Sequence, residues 1–181
     1  MAFDNMTKIG PCEVLFGPEG AEVDIGMTNG DVVIHIAEDD APVRHSQSGT
    51  NLWDAVITGM PISVEAVLGE LTYNNMLQVM AGATLLAEGA TPENYALDVQ
   101  IPLGYSRRDH AKRLILKPYA GKQPSTDKHD WMYFPLAHPK LEAELPYGAE
   151  AQRGFKVVFQ CFPLSVAVPR MMFWGDEDLI T

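Results

Sequence analysis

Cysteine is scarce in this 181-residue chain: Cys12 and Cys161 stand far apart, and neither belongs to a C-x-x-C pair. That excludes zinc-ribbon and thioredoxin-type spacing and leaves two buried free thiols as the favoured expectation, with a structural disulfide as the alternative. No run approaches 18 apolar residues, so no membrane span and no membrane insertion is expected. The opening MAFDNMTKIG has neither a basic start nor an apolar run, so no secretory signal is expected. His35, His45, His110, His129 and His138 never fall into H-x-H or H-x-x-x-H spacing. There is no G-x-S-x-G and no G-x-x-x-x-G-K-[ST], and Asp176-Glu177-Asp178 lacks the oxygen spacing of a calcium loop. Asp127-Lys128-His129-Asp130 reads as a solvated turn in its Gly/Lys/Gln/Pro/Ser/Thr surroundings. The expectation is a protein that is not an enzyme, with no cofactor and no metal.

Basic residues are almost missing from the first hundred positions, which carry 15 Asp or Glu against only Lys8 and Arg44. Residues 101–130 reverse this, with seven Lys or Arg against three Asp, and 131–181 is mildly acidic. The formal net charge of −11 thus sums unlike segments. A nucleic-acid grip is disfavoured, because the acidic majority repels phosphate and aromatic interleaving is thin. The basic residues Arg107, Arg108, Lys112 and Arg113 are better suited to an acidic face of another copy, where opposite patches set register.

What is present is strand pattern. Cys12–Gly17 reads as a strand ended by a Gly-Pro turn, and Asp31–Ile36 as a strand with two partly covered faces. Residues 37–52 form a long polar stretch, extended as a hairpin arm around Pro42–His45, after which Trp53, Val56 and Ile57 return the chain to the body. Pro61–Leu68 alternates strictly. Thr72 is an N-cap, and Tyr73, Met76, Leu77 and Met80 at helical spacing mark one helix closed by Gly82. Further strands are expected around Leu97–Ile101, Arg113–Lys117, Trp131–Leu136, Leu141–Leu145 and Phe155–Phe162. Eight or so strands with one short helix predict a single all-β domain over 1–181, a β-sandwich or barrel. Its sheet edges need cover, and a sister subunit is one way to supply it.

From Gly30 to Met80 the run GDVVIHIAEDDAPVRHSQSGTNLWDAVITGMPISVEAVLGELTYNNMLQVM resembles the tail tube proteins of long-tailed, non-contractile bacteriophages. A strand, an acidic polar segment, the Thr58-Gly59 turn, an alternating strand and a Thr-started helix follow in order. Phe155–Phe162 and Phe173-Trp174-Gly175-Asp176 resemble the closing strand and end. The likeness covers somewhat under half the chain.

It implies a β-sandwich flanked by a helix. Hexameric rings would stack into a virion tail tube that conducts genome DNA during ejection, built in the cytoplasm of a bacterial host. Partners would be further copies, other tail and head–tail joining proteins, and double-stranded DNA passing transiently and nonspecifically. Glu38 to Leu52, with Glu38, Asp39, Asp40, Arg44 and His45, would form the inter-ring loop, and Thr72 to Met80 the flanking helix. The lumen of such tubes is generally negative; Glu65 and Asp98, each on a strand with apolar neighbours, must point away from the core, to the channel or to the outer surface, and are the candidate lumen acids. Residues 103–153 depart from simpler members and suggest an enlarged loop or insertion. Two other readings stay open: a tail terminator or head–tail joining ring, and a cupin-like metal-dependent enzyme using His35 or His138.

Overall fold

The computed structural model describes residues 11–46, 49–70, 72–87, 95–100, 103–142, 154–167 and 169–180. In chain order the elements are β1 (Cys12–Gly17), β2 (Val23–Asp24), β3 (Val33–Ile36), β4 (Asp39–Val43), β5 (Asp54–Gly59), β6 (Ile62–Leu68), α1 (Tyr73–Val79), β7 (Ala83–Ala87), β8 (Tyr95–Val99), β9 (Lys112–Ala120), β10 (Gln123–Pro124), β11 (Met132–Glu142), β12 (Phe155–Cys161) and β13 (Phe173–Trp174). The fold is all-β with one short helix. Nine strands form one antiparallel sheet in the order β2-β1-β9-β11-β12-β6-β3, with β10 on β9 and β13 on β11. Two hairpins, β4–β5 and β7–β8, stand outside it.

Alternation writes the core. In β6 and β12 every second residue is buried: Ile62, Val64, Ala66 and Leu68 on one strand, Phe155, Val157, Phe159 and Cys161 on the other. They meet Val14 and Phe16 of β1, Leu114 and Leu116 of β9, and Phe134 and Ala137 of β11. The sheet must be rolled for this to happen. β1 lies three strands from β12, about 14 Å across a flat sheet, yet the rings of Phe16 and Phe159 are 5.2 Å apart. A register shift in β11 between Phe134 and Ala137 supplies local bending.

The helix closes the roll. Thr72 caps it, its hydroxyl accepting from the Asn75 amide at 3.2 Å. Val79 is buried, and Met76 and Met80 pack on the core. Two of the four expected apolar positions behave otherwise: Tyr73 is exposed beside Tyr95, and Leu77 lines a cavity. Asn75 is buried in their place, its amide donating to the Glu70 carbonyl. Gly26 makes room for it: at φ +91°, a Cβ there would stand 2.7 Å from Asn75 Nδ2.

Several expectations are corrected. Within residues 103–153, expected as an enlarged loop or insertion, β9 and β11 are central strands of the sheet and carry core residues. Met132–Glu142 is one strand where a break before Leu141 was expected, and residues 143–153 lie outside the described residues. Thr58-Gly59 is the end of β5, not a turn. Trp53, Val56 and Ile57 do not return the chain to the body; all three are exposed on the projecting hairpin. The free thiols are as expected: Cys12 is half-buried, Cys161 is buried, and neither is bonded.

Candidate functional site

The most conspicuous surface is the arm formed by β4 and β5. Asp39, Asp40, Ala41, Pro42 and Val43 pair with Gly59, Ile57, Val56, Ala55 and Asp54, and the Thr58 hydroxyl donates to the Asp39 carbonyl at 3.0 Å. All five residues of β4 are exposed, as are all of β5 except Gly59. The arm displays Leu52, Trp53, Val56 and Ile57 to solvent, with Trp53 68% exposed and edge-on to His45 at 5.4 Å. A two-stranded hairpin alone in water is marginally stable, and clustered exposed apolar side chains mark contact surfaces. Glu38, Asp39, Asp40, Arg44 and His45, the expected loop residues, are all exposed along this arm or at its ends.

A second uncovered feature is the β3 edge. β3 pairs with β6 on one side and with no described strand on the other. On the face turned away from the core, strand registers place His35, Ser63, Gln160 and His138 in one row, and Val33, Glu65, Val158 and Lys140 in the next. Glu65 therefore points away from the core, as its alternation requires. It is not a free acid: Lys156 Nζ lies 2.7 Å and His35 Nε2 3.6 Å from its carboxylate. Lys140 pairs with Glu142 at 2.7 Å, and this pair with its hydrogen bond holds the Glu142 carboxyl below its usual range. Four charges, two of each sign, thus balance on this face. Asp98 lies elsewhere, on β8 opposite Thr84, accepting from Gln100 Nε2 at 3.1 Å; the fold does not bring it to Glu65.

The four basic residues do not form one free patch. Arg107 donates to Gln160 Oε1 at 2.9 Å, and Arg108 to the Pro163 and Leu164 carbonyls. Arg113 is turned inward. Its guanidinium bonds Glu177, faces Glu19 and Glu22 at 3.4 Å each, and lies over the Tyr133 ring. It ties the C-terminal 3₁₀ turn, Glu177–Leu179, to the β1–β2 connection. The neighbouring Lys128 binds Asp178 at 2.8 Å, a bond that lowers the Asp178 carboxyl and raises the Lys128 ammonium. The Asp127–Asp130 run is a capped 3₁₀ turn, Asp127 accepting from the His129 amide.

Sequence reasoning missed a cavity of about 420 Å³ at one end of the rolled sheet, between α1, Phe16, Lys112 and the 105–111 turn. Tyr105 stacks on His110 at 4.1 Å and meets His138 edge-on at 5.6 Å. The turn buries His138, which is 3% exposed; burial first, then the Arg107 cation, pushes its pKa below the ordinary value. His138 Nδ1 and Gln78 Oε1 are buried and have no hydrogen-bond partner among the described residues. These residues are dispersed along the chain, and no spacing announces them.

His35 and His138 lie three strand spacings apart in their row, about 14 Å, too far to share a metal ion. Among the described residues no three His, Cys, Asp or Glu side chains cluster as a metal site. No helix there is long and apolar enough to cross a membrane.

Compared with known protein families and with curated proteins, the chain matches none. Function is therefore argued from these surfaces.

Proposed function

We propose that this chain is a structural subunit of a virion: copies assemble into hexameric rings, and the rings stack as the tube of a phage tail. The observation that carries the reading is the β4–β5 arm, an uncovered hairpin with exposed Trp53, Val56 and Ile57. Such an element gains stability by lying against another copy. The open β3 edge offers a second surface, since an unpaired edge accepts a neighbouring strand. Arm and edge are different surfaces, and unlike surfaces in contact give heterologous joints, the kind that close rings and extend stacks.

In this reading Glu38, Asp39, Asp40, Arg44 and His45 work at the joint with the adjacent ring, and α1 flanks the wall. The charge-balanced face around Glu65 and Lys156 suits a conduit for double-stranded DNA, because a net-positive lining would hold phosphate by counterion release. Other tail and head–tail joining proteins would meet the ends of the stack.

Electron microscopy of the purified protein and of the assembled particle tests the proposal. Stacked six-fold rings in many copies are expected. A capsid-shell position or a closed dimer would overturn it, and a single ring per particle would assign the chain to the head–tail joint.

A further inference from the structure

The cavity beside α1 has unmet chemical needs. Its wall presents the buried Gln78 Oε1, an acceptor without a donor among the described residues. Lys112 lies at the same wall, its ammonium 5.7 Å from the Phe16 ring centre and with no carboxylate partner among the described residues. Phe16, Met80 and Tyr105 supply apolar surface. An occupant that satisfies all of this has a flat apolar body, an N–H donor and an adjacent carboxylate.

The same chain carries such a group on its arm. Trp53 is exposed, and its indole nitrogen is a donor with no acceptor capacity. Asp54 follows directly; its carboxylate accepts from the adjacent Ala55 amide at 2.8 Å and makes no salt bridge among the described residues. The charge around the two surfaces is also complementary. The arm holds Asp39, Asp40 and Asp54 against Arg44, while the cavity rim holds Lys112, with Arg107 and Arg108 nearby, against Asp109.

We propose that the cavity receives the arm of a second copy, with the Trp53 indole inserted between Phe16, Met80 and Tyr105 and donating to Gln78 Oε1, and the Asp54 carboxylate meeting Lys112. The inference rests on the assembly reading above and deepens it by naming the receptor. A buried aromatic anchor beside a desolvated charge pair is the usual composition of an interface hot spot. The acidic arm and basic rim also disfavour arm-to-arm and rim-to-rim encounters, since like charges repel.

The test is a charge exchange read by light scattering and sedimentation of the purified protein. Trp53→Ala, Asp54→Lys and Lys112→Glu should each raise the concentration needed for assembly at least about tenfold, equivalent to about 1.4 kcal/mol. Asp54→Lys combined with Lys112→Glu should restore most of the loss. Trp53 and Asp54 are exposed, so these variants should fold, and circular dichroism checks that they do. If wild type assembles and all three single variants assemble equally well, the receptor assignment is overturned while the assembly reading stands. The receptor assignment falls in the same way if the double exchange is no better than the worse single variant. A wild-type protein that stays monomeric at high concentration overturns both.

Discussion

Arg113 should be the most consequential single charge in the subunit. Its side chain is 11% exposed, and its partner Glu22 is 12% exposed. Replacing Arg113 with Met keeps a stem that covers Tyr133 but removes the cation. Glu22 is then left nearly buried and uncompensated, a situation that costs about 3–5 kcal/mol when a buried pair is broken. Glu177, 31% exposed, can turn toward water and adds less; Glu19, mostly exposed, adds nothing measurable. Loss of the cation over the Tyr133 ring adds about 1 kcal/mol. Relaxation of the surface turn offsets part of this, so a loss of about 3 kcal/mol is expected, which lowers Tm by about 6–12 °C for a chain of this size. Calorimetry or thermal circular dichroism measures it. Adding Glu22→Gln to Arg113→Met should recover more than about 1 kcal/mol, because the stranded carboxylate is gone. A Tm within 2 °C of wild type (about 0.5–1 kcal/mol) for Arg113→Met would refute the reasoning and reduce the cluster to ordinary surface pairs.

Three further outcomes follow from the packing. The Tyr133 hydroxyl is buried with no partner among the described residues, so Tyr133→Phe should be neutral or stabilising by about 1 kcal/mol in urea unfolding; a loss above that size would show that the hydroxyl is satisfied. Glu65→Lys faces Lys156 with a like charge at a position 27% exposed, and should cost about 1 kcal/mol, more at low salt. A stability unchanged at low ionic strength would contradict it. Burial pushes the Cys12 thiol up to about 11 and the Cys161 thiol up to about 12, so at pH 8 no more than about one in a thousand of either is thiolate. Ellman's reagent should therefore react far more slowly with the native protein than with urea-unfolded chain, and equal rates would show the native thiols to be open.

Strands with one face in the core were legible because burial alternates with sequence: β1 and β6 fall within a residue of their expected limits, and the Thr72 cap marks α1. The arm was only half legible. Trp53, Val56 and Ile57 look like core residues in any pattern, and nothing in a single sequence distinguishes an apolar side chain awaiting a partner from one packed at home. Pro139 lies inside β11, where a break was expected. Phe162 donates to the Leu136 carbonyl, so the main-chain polar groups of Leu136 point at β12 and those of Pro139, three residues on, toward the β9 side. β9 pairing ends at Ala137, so the missing N–H of Pro139 interrupts no ladder and the strand continues. β7 escaped notice because its residues are only half covered and show no clean alternation. Arg113 read as part of a basic surface because its three acidic partners come from remote parts of the chain. The cavity is likewise assembled from four separated segments.

The strand order carries a consequence for how the chain acquires its shape. β1 has only the two-residue β2 as a local partner and takes its long pairing from β9, where Val14 lies opposite Leu116; β6 has β3 beside it early but gains its second neighbour only in β12, where Leu68 lies opposite Phe155. Local hairpins such as β4–β5 and β7–β8 can form early, but neither contributes a strand to the main sheet. Loop-closure entropy must be met before these distant pairings reward it, so folding should be slow for a protein of this size. On the ribosome the acidic first half emerges with β1 and β6 each paired on one side only, and it has no core to close around until β9, β11 and β12 have followed. A nascent chain halted after residue 120 should therefore stay protease-sensitive, and emergence of residues 121–181 should trigger folding of the whole sheet as one event.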